Sequence, residues 1–330
     1  MKALSRWLYS VWYENGSGGW LLWPLEAFFR AVAALRRALF SIGVLRAGKV
    51  DVPVVVVGNI AVGGGGKTPL VGWIATQLAV KGVKAAIVSR GYGGAEPRQP
   101  LTVTRDTPAH IAGDEALMLA RATDALVIVC RDRLAAARAA ADAGAQLIIS
   151  DDGLQHYALG RDLEIVVIDA ERQHGNAHCL PAGPLREPVS RLGSVDLIVT
   201  AGNARCPPDG LSYRLSLGSA RNAASAAVVA LDHFTGQSVY ALAGIAHPKR
   251  FFTALEERGI RVTPIAAADH ERVGASDLHP DDLLPFLMTE KDAVKYPELG
   301  ERHWIVPVSV VMSDEDSAAL LDKLVALLDS

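Results

Sequence analysis

The sequence contains little cysteine and has no long apolar run free of charge. Its three cysteines, Cys130, Cys179 and Cys206, are too few and too scattered for a disulfide framework, which is typical of a reducing compartment. The N-terminus has no apolar core followed by a small-residue cleavage site, so the sequence does not predict a secretory signal. Charged residues interrupt residues 21–45 before the roughly 18 to 20 uncharged positions that a bilayer-spanning helix requires.

The nine histidines do not form a zinc signature. No HExxH pattern occurs, and His174 and His178 lie four residues apart in a stretch rich in glycine, asparagine and proline. Half of the residues are hydrophobic and 21% are charged, which excludes intrinsic disorder as a description of the whole chain. The 330 residues suffice for about two domains, each with its own core.

Charge is distributed unevenly along the chain. Residues 1–50 carry seven Lys or Arg and two Glu, so this segment is +5 and the remainder sums to −8. Four of the six tryptophans also lie in the segment, at positions 7, 12, 20 and 23. Because the basic region is apolar and the rest of the chain is acidic, the pattern argues against nucleic-acid binding.

The basic segment also predicts an amphipathic helix. Glu26, Arg30 and Arg37 project from the side opposite an apolar stripe spaced in steps of four and three. Such a helix can lie in a membrane interface, with aromatic residues at headgroup depth and cations near anionic lipid. Alternatively, it can pack on the protein's own core. The stripe consists of Leu21, Leu25, Phe28, Val32, Leu35, Leu39 and Ile42.

Beyond residue 53, short β-branched runs alternate with helical stretches. Strands buried on both faces have this composition, and the alternation is typical of βαβ units around a parallel sheet. We therefore predict an α/β core over residues 51–215, with a parallel sheet flanked by helices. The predicted strands cover residues 54–57, 85–88, 126–129, 147–149, 165–168 and 197–199, and the predicted helices cover 67–81, 114–123 and 132–143.

A domain boundary is predicted between about residues 201 and 238. Cys-Pro-Pro-Asp-Gly at 206–210 and an Ala/Ser-rich stretch interrupt the alternation there. We therefore predict a smaller C-terminal α/β lobe over residues 216–330 and a separate membrane-associating helix region over residues 1–50. The elements of the smaller lobe are an apolar run at 239–245, a helix at 248–258, a strand at 260–264 and a helix at 315–328.

A glycine-rich loop follows the first predicted strand and opens a helix at Lys67. Successive glycines let backbone N–H groups converge on phosphate oxygens, Lys67 can reach the β- and γ-phosphates, and the Thr68 hydroxyl can bind Mg²⁺. Alanine replaces the first glycine of the GxxxxGK[ST] pattern. The loop predicts a P-loop NTPase-like fold and a nucleotide site formed by Ala61, Val62, Gly63, Gly64, Gly65, Gly66, Lys67 and Thr68.

A P-loop also needs a carboxylate at the end of a neighbouring strand to hold the Mg²⁺ shell. Asp151 and Asp152 end one apolar run, and Asp169 ends another. One of two paired carboxylates can bind the metal while the other orients water or the lysine. We predict that Asp151 and Asp152, with Thr68, form the metal site, and Asp169 is the alternative.

Several further motifs together resemble the tetraacyldisaccharide 4′-kinase family, the lipid A kinases of Gram-negative envelope biosynthesis. The resemblance runs over nearly the whole chain and includes the Trp-rich N-terminal helix. It implies transfer of the γ-phosphoryl group of ATP to the 4′-hydroxyl of a tetraacylated glucosamine disaccharide 1-phosphate. The motifs are VGNIAVGGGGKTP at 57–69, SRGYGG at 89–94, GDEALMLA at 113–120, DDGLQHY at 151–157, LPAGPLREP at 180–188, ALAGIAHPKRFF at 241–252, DH at 269–270 and TEKDAVK at 289–295.

The resemblance also implies roles for individual residues. Asp114 would be the catalytic base and His270 its partner, with Lys67 completing the catalytic set; from the residues alone, an N-cap role is the favoured interpretation of Asp114. No chemistry is predicted for TEKDAVK. Arg131 and Arg133 could contact the substrate or form ion pairs on the solvated surface, and the sequence leaves both alternatives open. The implied substrate contacts are Tyr92, Gln155, His156, Arg186 and Glu187.

The implied partners are ATP, Mg²⁺, the lipid A disaccharide precursor and the cytoplasmic face of the inner membrane, with peripheral or monotopic attachment and no obligate protein partner. One competing hypothesis is a soluble P-loop kinase or GTPase that acts on a polar metabolite; the sequence has no NKxD motif for base recognition. A second is a nucleotide-gated membrane adaptor. Asp114, Asp151 and Asp152 argue against the adaptor, because a binding switch needs no such set of carboxylates.

Overall fold

Two β-sheets and their flanking helices form the fold. The computed structural model describes residues 2–205, 207–267, 272–274, 278 and 283–329. The strands are β1 Val54–Gly58, β2 Ala85–Ser89, β3 Leu101–Val103, β4 Leu126–Val129, β5 Leu147–Asp151, β6 Leu163–Asp169, β7 Leu197–Ala201, β8 Leu211–Leu217, β9 Ala220–Asn222, β10 Val228–Val229, β11 Ser238–Ala243, β12 Arg261–Ala266, β13 Phe286–Thr289, β14 His303–Val306 and β15 Val308–Met312.

The helices are distributed along the whole described chain. Short 3₁₀ turns occur at Gly19–Leu22, Val189–Ser194 and Leu231–Phe234. The α-helices are α1 Lys2–Tyr13, α2 Trp23–Ser41, α3 Lys67–Val80, α4 Ala109–Ala112, α5 Asp114–Ala122, α6 Arg133–Asp142, α7 Pro248–Glu256, α8 Glu290–Ala293 and α9 Asp314–Ala326. All of the strands and helices predicted between residues 54 and 199 are confirmed, with bounds that differ by a few residues at most.

The first sheet has the order β15-β8-β7-β6-β1-β5-β2-β4-β3 in the described part of the chain. Its strands are parallel except at the edges, where β15 and β3 run antiparallel to their neighbours. Central strands such as β1 are buried on both faces, which explains their continuous β-branched sequence. The predicted mixed α/β architecture with a largely parallel sheet is confirmed.

Hydrophobic layers cover both faces of this sheet. On one face, α3, α5 and α9 contribute Leu70, Ile74, Leu117 and Leu320 to a large core. On the other face the alanine-rich helix α6 packs closely, because its small side chains let it approach the strands. The carboxyl ends of the parallel strands therefore remain free at one edge, where ligands collect in folds of this kind.

The second sheet has the order β10-β9-β14-β13-β11-β12. Its centre is parallel, from β12 through β11 and β13 to β14, and β9 and β10 add an antiparallel edge. Phe234, Phe251, Leu255 and Leu287 form its core together with neighbouring strand residues. This sheet, with α7 and α8, is the smaller α/β lobe in the structure.

The chain returns to the first sheet after building the second. Strand β15 pairs with β8 from Val308 opposite Leu217 to Met312 opposite Tyr213, and α9 packs on the first core. Residues 308–326, predicted to lie in the smaller lobe, belong to the first sheet and its core, and the predicted division at residues 215 and 216 falls inside β8. The difference arises because β8 would be an unpaired edge without β15, which pairs with its backbone groups.

Helix α2 presents its apolar stripe outward. Leu21, Leu25, Phe28, Val32, Leu35 and Ile42 are 51% to 71% exposed, whereas Glu26 is 4% exposed. The Glu26 carboxylate accepts a hydrogen bond from the Cys179 backbone N–H at 2.9 Å and lies 2.6 Å from His178 Nδ1. Core packing is therefore the wrong interpretation of this apolar face, because the helix docks through Glu26 and Phe29 instead.

Among the described helices, none combines the length and the apolar content needed to cross a membrane.

Leu324 of α9 tests whether the C-terminal helix stabilises the first sheet. This side chain is fully buried in the first core, so Leu324→Ala should lower the free energy of unfolding by about 2 to 5 kcal/mol. The exposed neighbour Lys323 supplies the control, and Lys323→Ala should change stability by less than about 0.5 kcal/mol. Denaturant unfolding measures both; equal effects would contradict the role of α9.

Candidate active site

The P-loop occupies the space between β1 and α3. Gly63 and Gly66 have φ values of +99° and +85°, the left-handed region that favours glycine. At Gly66, a Cβ atom would lie 2.5 Å from the Tyr213 hydroxyl oxygen, and that hydroxyl donates a hydrogen bond of 2.7 Å to the Gly66 carbonyl. The loop therefore needs glycine at this position, both for its backbone conformation and for its contact with β8.

Lys67 and Arg186 both contact Asp152 at the carboxyl end of β5. Lys67 Nζ lies 3.4 Å from Asp152 Oδ1, and Arg186 Nη1 lies 3.0 Å from Asp152 Oδ2. Burial opposes ionisation, but the two cations outweigh it and lower the pKa of Asp152 to about 2. Asp152 is thus a permanent anion that orients the P-loop lysine.

Asp151 lies beside Thr68 in a more buried position. The Thr68 hydroxyl donates to Asp151 Oδ2 at 3.4 Å, and Asp151 Oδ1 is buried with no hydrogen-bond partner among the described residues. Burial, followed by the charges of Glu115 and Asp152, raises the pKa of Asp151 to about 7. An incompletely satisfied carboxylate oxygen beside a hydroxyl is a donor set that suits Mg²⁺, which takes oxygen ligands from one or two carboxylates.

Arg133 holds the end of β5 in place. It is buried at the first turn of α6 and donates to the backbone carbonyls of Asp151 at 3.2 Å and Asp152 at 3.1 Å. Asp152 adopts a φ of +48°, which is costly for a residue with a side chain. Arg133 therefore supports the strained backbone beneath the two acids, a role that sequence reasoning left open between substrate contact and solvated surface.

Asp169, the alternative metal acid, has a different partner. Its two carboxylate oxygens accept hydrogen bonds of 2.8 Å each from Arg250, and His247 Nε2 lies 3.5 Å away. Arg250 and His247 belong to the smaller lobe. Asp169 thus joins the two lobes, and the geometry favours Asp151 and Asp152 as the acids beside the P-loop.

A cavity of about 2040 Å³ opens in front of the P-loop. Three parts of the chain line it: the carboxyl edge of the first sheet, α2 with Phe29, Val32 and Arg36, and the smaller lobe with Ile245 and Lys291. This volume exceeds the roughly 300 to 1,000 Å³ of an ordinary small-molecule site. The site is therefore shared among the P-loop core, the N-terminal helix and the second lobe.

The five predicted substrate contacts all line the cavity. Tyr92 is largely exposed, Gln155 donates to the Asn59 carbonyl at 3.0 Å, and Arg186 contacts Asp152. Glu187 is buried and accepts a hydrogen bond from the Tyr157 hydroxyl. These side chains converge on one region, as their motifs predict, and their roles toward substrate stay predictions.

Asp114 is the first residue of α5, and Gly113 occupies the cap position before it. The interpretation of Asp114 as an N-cap is therefore wrong. Its carboxylate is buried, with Oδ2 located 3.7 Å from Lys295 Nζ, while the adjacent Glu115 lines the cavity. His270, the predicted partner of Asp114, lies outside the described residues.

Sequence reasoning missed the contribution of residues 289–295. Lys291 Nζ lies 2.8 Å from Glu115 Oε1, and Lys295 approaches Asp114, so two lysines of the smaller lobe meet the first two residues of α5. Their spacing of four residues in the TEKDAVK motif is a signal that both face the same way. Their partners lie more than 170 positions away along the chain, so no local pattern could identify them.

The fold and the glycine-rich loop place the chain in the class of P-loop nucleotide-binding proteins. The family model LpxK, tetraacyldisaccharide-1-P 4′-kinase, matches residues 19–326. The chain belongs to the tetraacyldisaccharide-1-P 4′-kinase family.

Relatives and a solved structure agree with this assignment. The tetraacyldisaccharide 4′-kinase of Azotobacter vinelandii is 48% identical over 94% of either chain. That of Nitrosococcus oceani is 41% identical over 98% of this chain and 96% of its own. The crystal structure of the "apo" form of LpxK from Aquifex aeolicus in complex with ATP covers 94% of this chain and 99% of its own, with a TM-score of 0.76 and 26% identity.

His156 should remain neutral in the folded protein at mildly acidic pH. Burial and then Arg133 lower its pKa from 6.5 to about 4, so between these values the unfolded chain binds more protons than the folded one. The free energy of unfolding should therefore decrease as the pH falls through this window, and less steeply in His156→Gln. Denaturant unfolding across the window checks this, with His110→Gln as the exposed control; equal slopes for wild type and His156→Gln would contradict it.

Proposed function

We propose that this chain transfers the γ-phosphoryl group of ATP to the 4′-hydroxyl of a tetraacylated glucosamine disaccharide 1-phosphate, a step of lipid A biosynthesis. The observation that carries the proposal is a P-loop with the buried Asp151 and the half-buried Asp152 beside a cavity of about 2040 Å³. Family membership supports the acceptor, because the relatives described above are named tetraacyldisaccharide 4′-kinases.

The P-loop binds the phosphates of ATP in this proposal. Its backbone N–H groups and the N-terminus of α3 supply positive potential, and Lys67 stabilises negative charge that builds on the transferring group. The Aquifex relative, solved in complex with ATP, supports this choice of nucleotide. Asp152 keeps the Lys67 ammonium oriented across the 3.4 Å that separates them.

Thr68, Asp151 and Asp152 would hold Mg²⁺. When bound, the ion neutralises charge on the β- and γ-phosphates. The buried Asp151 oxygen that has no hydrogen-bond partner among the described residues supports this choice, and so does the burial that raises the pKa of this carboxyl to about 7.

Asp114 accepts the proton of the sugar hydroxyl. As that proton moves to the Asp114 carboxylate, the hydroxyl oxygen forms a bond to the γ-phosphorus, the bond from phosphorus to the β,γ-bridging oxygen breaks, and ADP leaves with the electron pair. His270 would orient Asp114 and adjust its basicity, as the resemblance implies. The acceptor is positioned by Tyr92, Gln155, His156, Arg186 and Glu187.

We further propose that α2 rests on the cytoplasmic face of the inner membrane as a peripheral anchor. Its outward stripe joins Trp20 and Trp23, both more than half exposed, and its other side lines the cavity through Phe29 and Arg36. An apolar face with aromatic residues suits the headgroup boundary of a bilayer. A lipid acceptor could then enter the cavity without leaving the membrane.

Asp114→Asn tests the chemistry. Removing the base should lower kcat by about 10²- to 10⁴-fold, whereas ATP binding should be unchanged because the P-loop is intact. Transfer of labelled phosphate from ATP to the disaccharide lipid measures the first quantity, and equilibrium ATP titration measures the second. Absence of lipid phosphorylation by the wild type, under conditions in which it binds ATP, would refute the function; normal turnover by Asp114→Asn would refute only the base assignment.

The membrane anchor is tested by glutamines on α2. The triple variant Leu25→Gln, Phe28→Gln, Leu35→Gln should bind vesicles containing anionic phospholipid at least about tenfold more weakly, because it removes three large apolar side chains from the interface. A matched control places glutamines at the exposed alanines 27, 31 and 38, which flank the stripe on the same helix; it removes little apolar area and should retain binding. Vesicle sedimentation distinguishes them, and equal binding by both triples would locate the anchor elsewhere.

A further inference from the structure

A buried lysine of the smaller lobe lies between two carboxylates from different parts of the fold. Lys295 is 1% exposed, with Asp292 at 0% and Asp114 at 5%. Lys295 Nζ lies 2.9 Å from Asp292 Oδ1 and 3.7 Å from Asp114 Oδ2. Such a group needs partners, because a charge removed from water is costly unless it is paired.

Asp292 is itself rigidly held. Its Oδ2 accepts hydrogen bonds from the Gly244 backbone N–H at 2.8 Å and from the Thr289 hydroxyl at 2.6 Å. Gly244 follows β11, and Thr289 ends β13, so the carboxylate is fixed to two central strands of the second sheet. A Cβ atom on Gly244 would lie 2.6 Å from Asp292 Oδ1 and 3.1 Å from Lys295 Nζ, which shows how closely the backbone approaches this pair.

The Lys295 ammonium group has a different role toward each of the two carboxylates. Its short contact is with Asp292, which fixes the position of Nζ, and its longer contact places positive charge next to Asp114. A cation held at a fixed point orients a carboxylate by electrostatic attraction, and a base must be oriented toward the proton that it accepts. Lys295 Nζ attracts Asp114 Oδ2 across 3.7 Å, while Asp292 accepts its close hydrogen bond.

A second ion pair fixes the same turn of α5. Lys291 is 2.8 Å from Glu115, the residue next to Asp114, and both lysines project from residues 289–295. The first turn of α5 therefore docks on the second sheet through two parallel ion pairs. The position of Asp114 depends on both lobes, although Asp114 itself belongs to the P-loop core.

We propose that Lys295, fixed by Asp292, is a positioning residue that holds the Asp114 carboxylate aligned for proton transfer. The inference rests on the proposed function, because it assigns Lys295 a role through the proposed base. It makes residues 289–295 a functional part of the phosphotransferase site. The smaller lobe thereby contributes to the chemistry as well as to the walls of the cavity.

Lys295→Met in the full-length protein tests the proposal. We expect kcat for phosphate transfer from ATP to the disaccharide lipid to fall about 10- to 100-fold, with KM for both substrates within about threefold of wild type, because alignment matters at the reacting atoms. ATP-binding stoichiometry normalises the rates to folded enzyme. Arg205→Met is the matched control: it removes a cation 2.8 Å from the buried Asp316, its side chain does not line the cavity, and it should leave kcat unchanged.

Loss of the lysine could leave two buried carboxylates without their cation and unfold the protein. The double variant Asp292→Asn, Lys295→Met removes the pair as a neutral unit and should fold while showing the same loss of kcat. A folded double variant with wild-type kcat would overturn the proposal.

A double-mutant cycle with Asp114→Asn distinguishes the proposal from its premise. If Lys295 acts through Asp114, adding Lys295→Met to Asp114→Asn should cause no further loss, whereas independent effects multiply. Multiplying losses would overturn the positioning role, and so would a wild-type kcat in Lys295→Met alone. Full activity in Asp114→Asn would instead contradict the proposed base.

Discussion

The parallel pairing of β1 with β5 is the constraint on which the site depends. Val57, near the end of β1, lies opposite Asp151 in the register. This pairing brings the end of the strand that precedes the P-loop next to the first of the two acids. A shift of one residue would turn every side chain of β5 to the other face of the sheet. Such a shift would move the Asp151 carboxylate away from the Thr68 hydroxyl, which lies 3.4 Å from Asp151 Oδ2, so this contact depends on the register of β5 against β1.

The cationic side chains at that edge of the sheet lie closer to Asp152 than to Asp151, and the two adjacent acids therefore have different pKa values. Lys67 and Arg186 both contact Asp152, whereas the more buried Asp151 has a neutral hydroxyl beside it. The pKa of Asp152 falls to about 2 and that of Asp151 rises to about 7. Environment, rather than residue type, thus separates an orienting anion from a carboxylate suited to a cation.

Local patterns predicted the elements and the P-loop well, because buried strands and a glycine-rich turn depend on neighbours in the sequence. Contacts across long separations were not predictable in this way. Arg133 binds the carbonyls of a strand 18 residues away, and Lys295 meets a helix in the other lobe. Strand β15 was also missed, because its pairing depends on the open edge of β8 rather than on its own sequence.

The N-terminal helix shows where periodicity stops being informative. Spacing distinguishes an apolar face from a charged one, but it does not say which face docks on the protein. In α2 the docking is decided by Glu26, whose buried carboxylate meets a backbone N–H and His178, and by Phe29, which packs on the core. The apolar stripe is then left at the mouth of the cavity. Glu26 and Phe29 together therefore set both the outward apolar surface and its continuity with the phosphotransfer site.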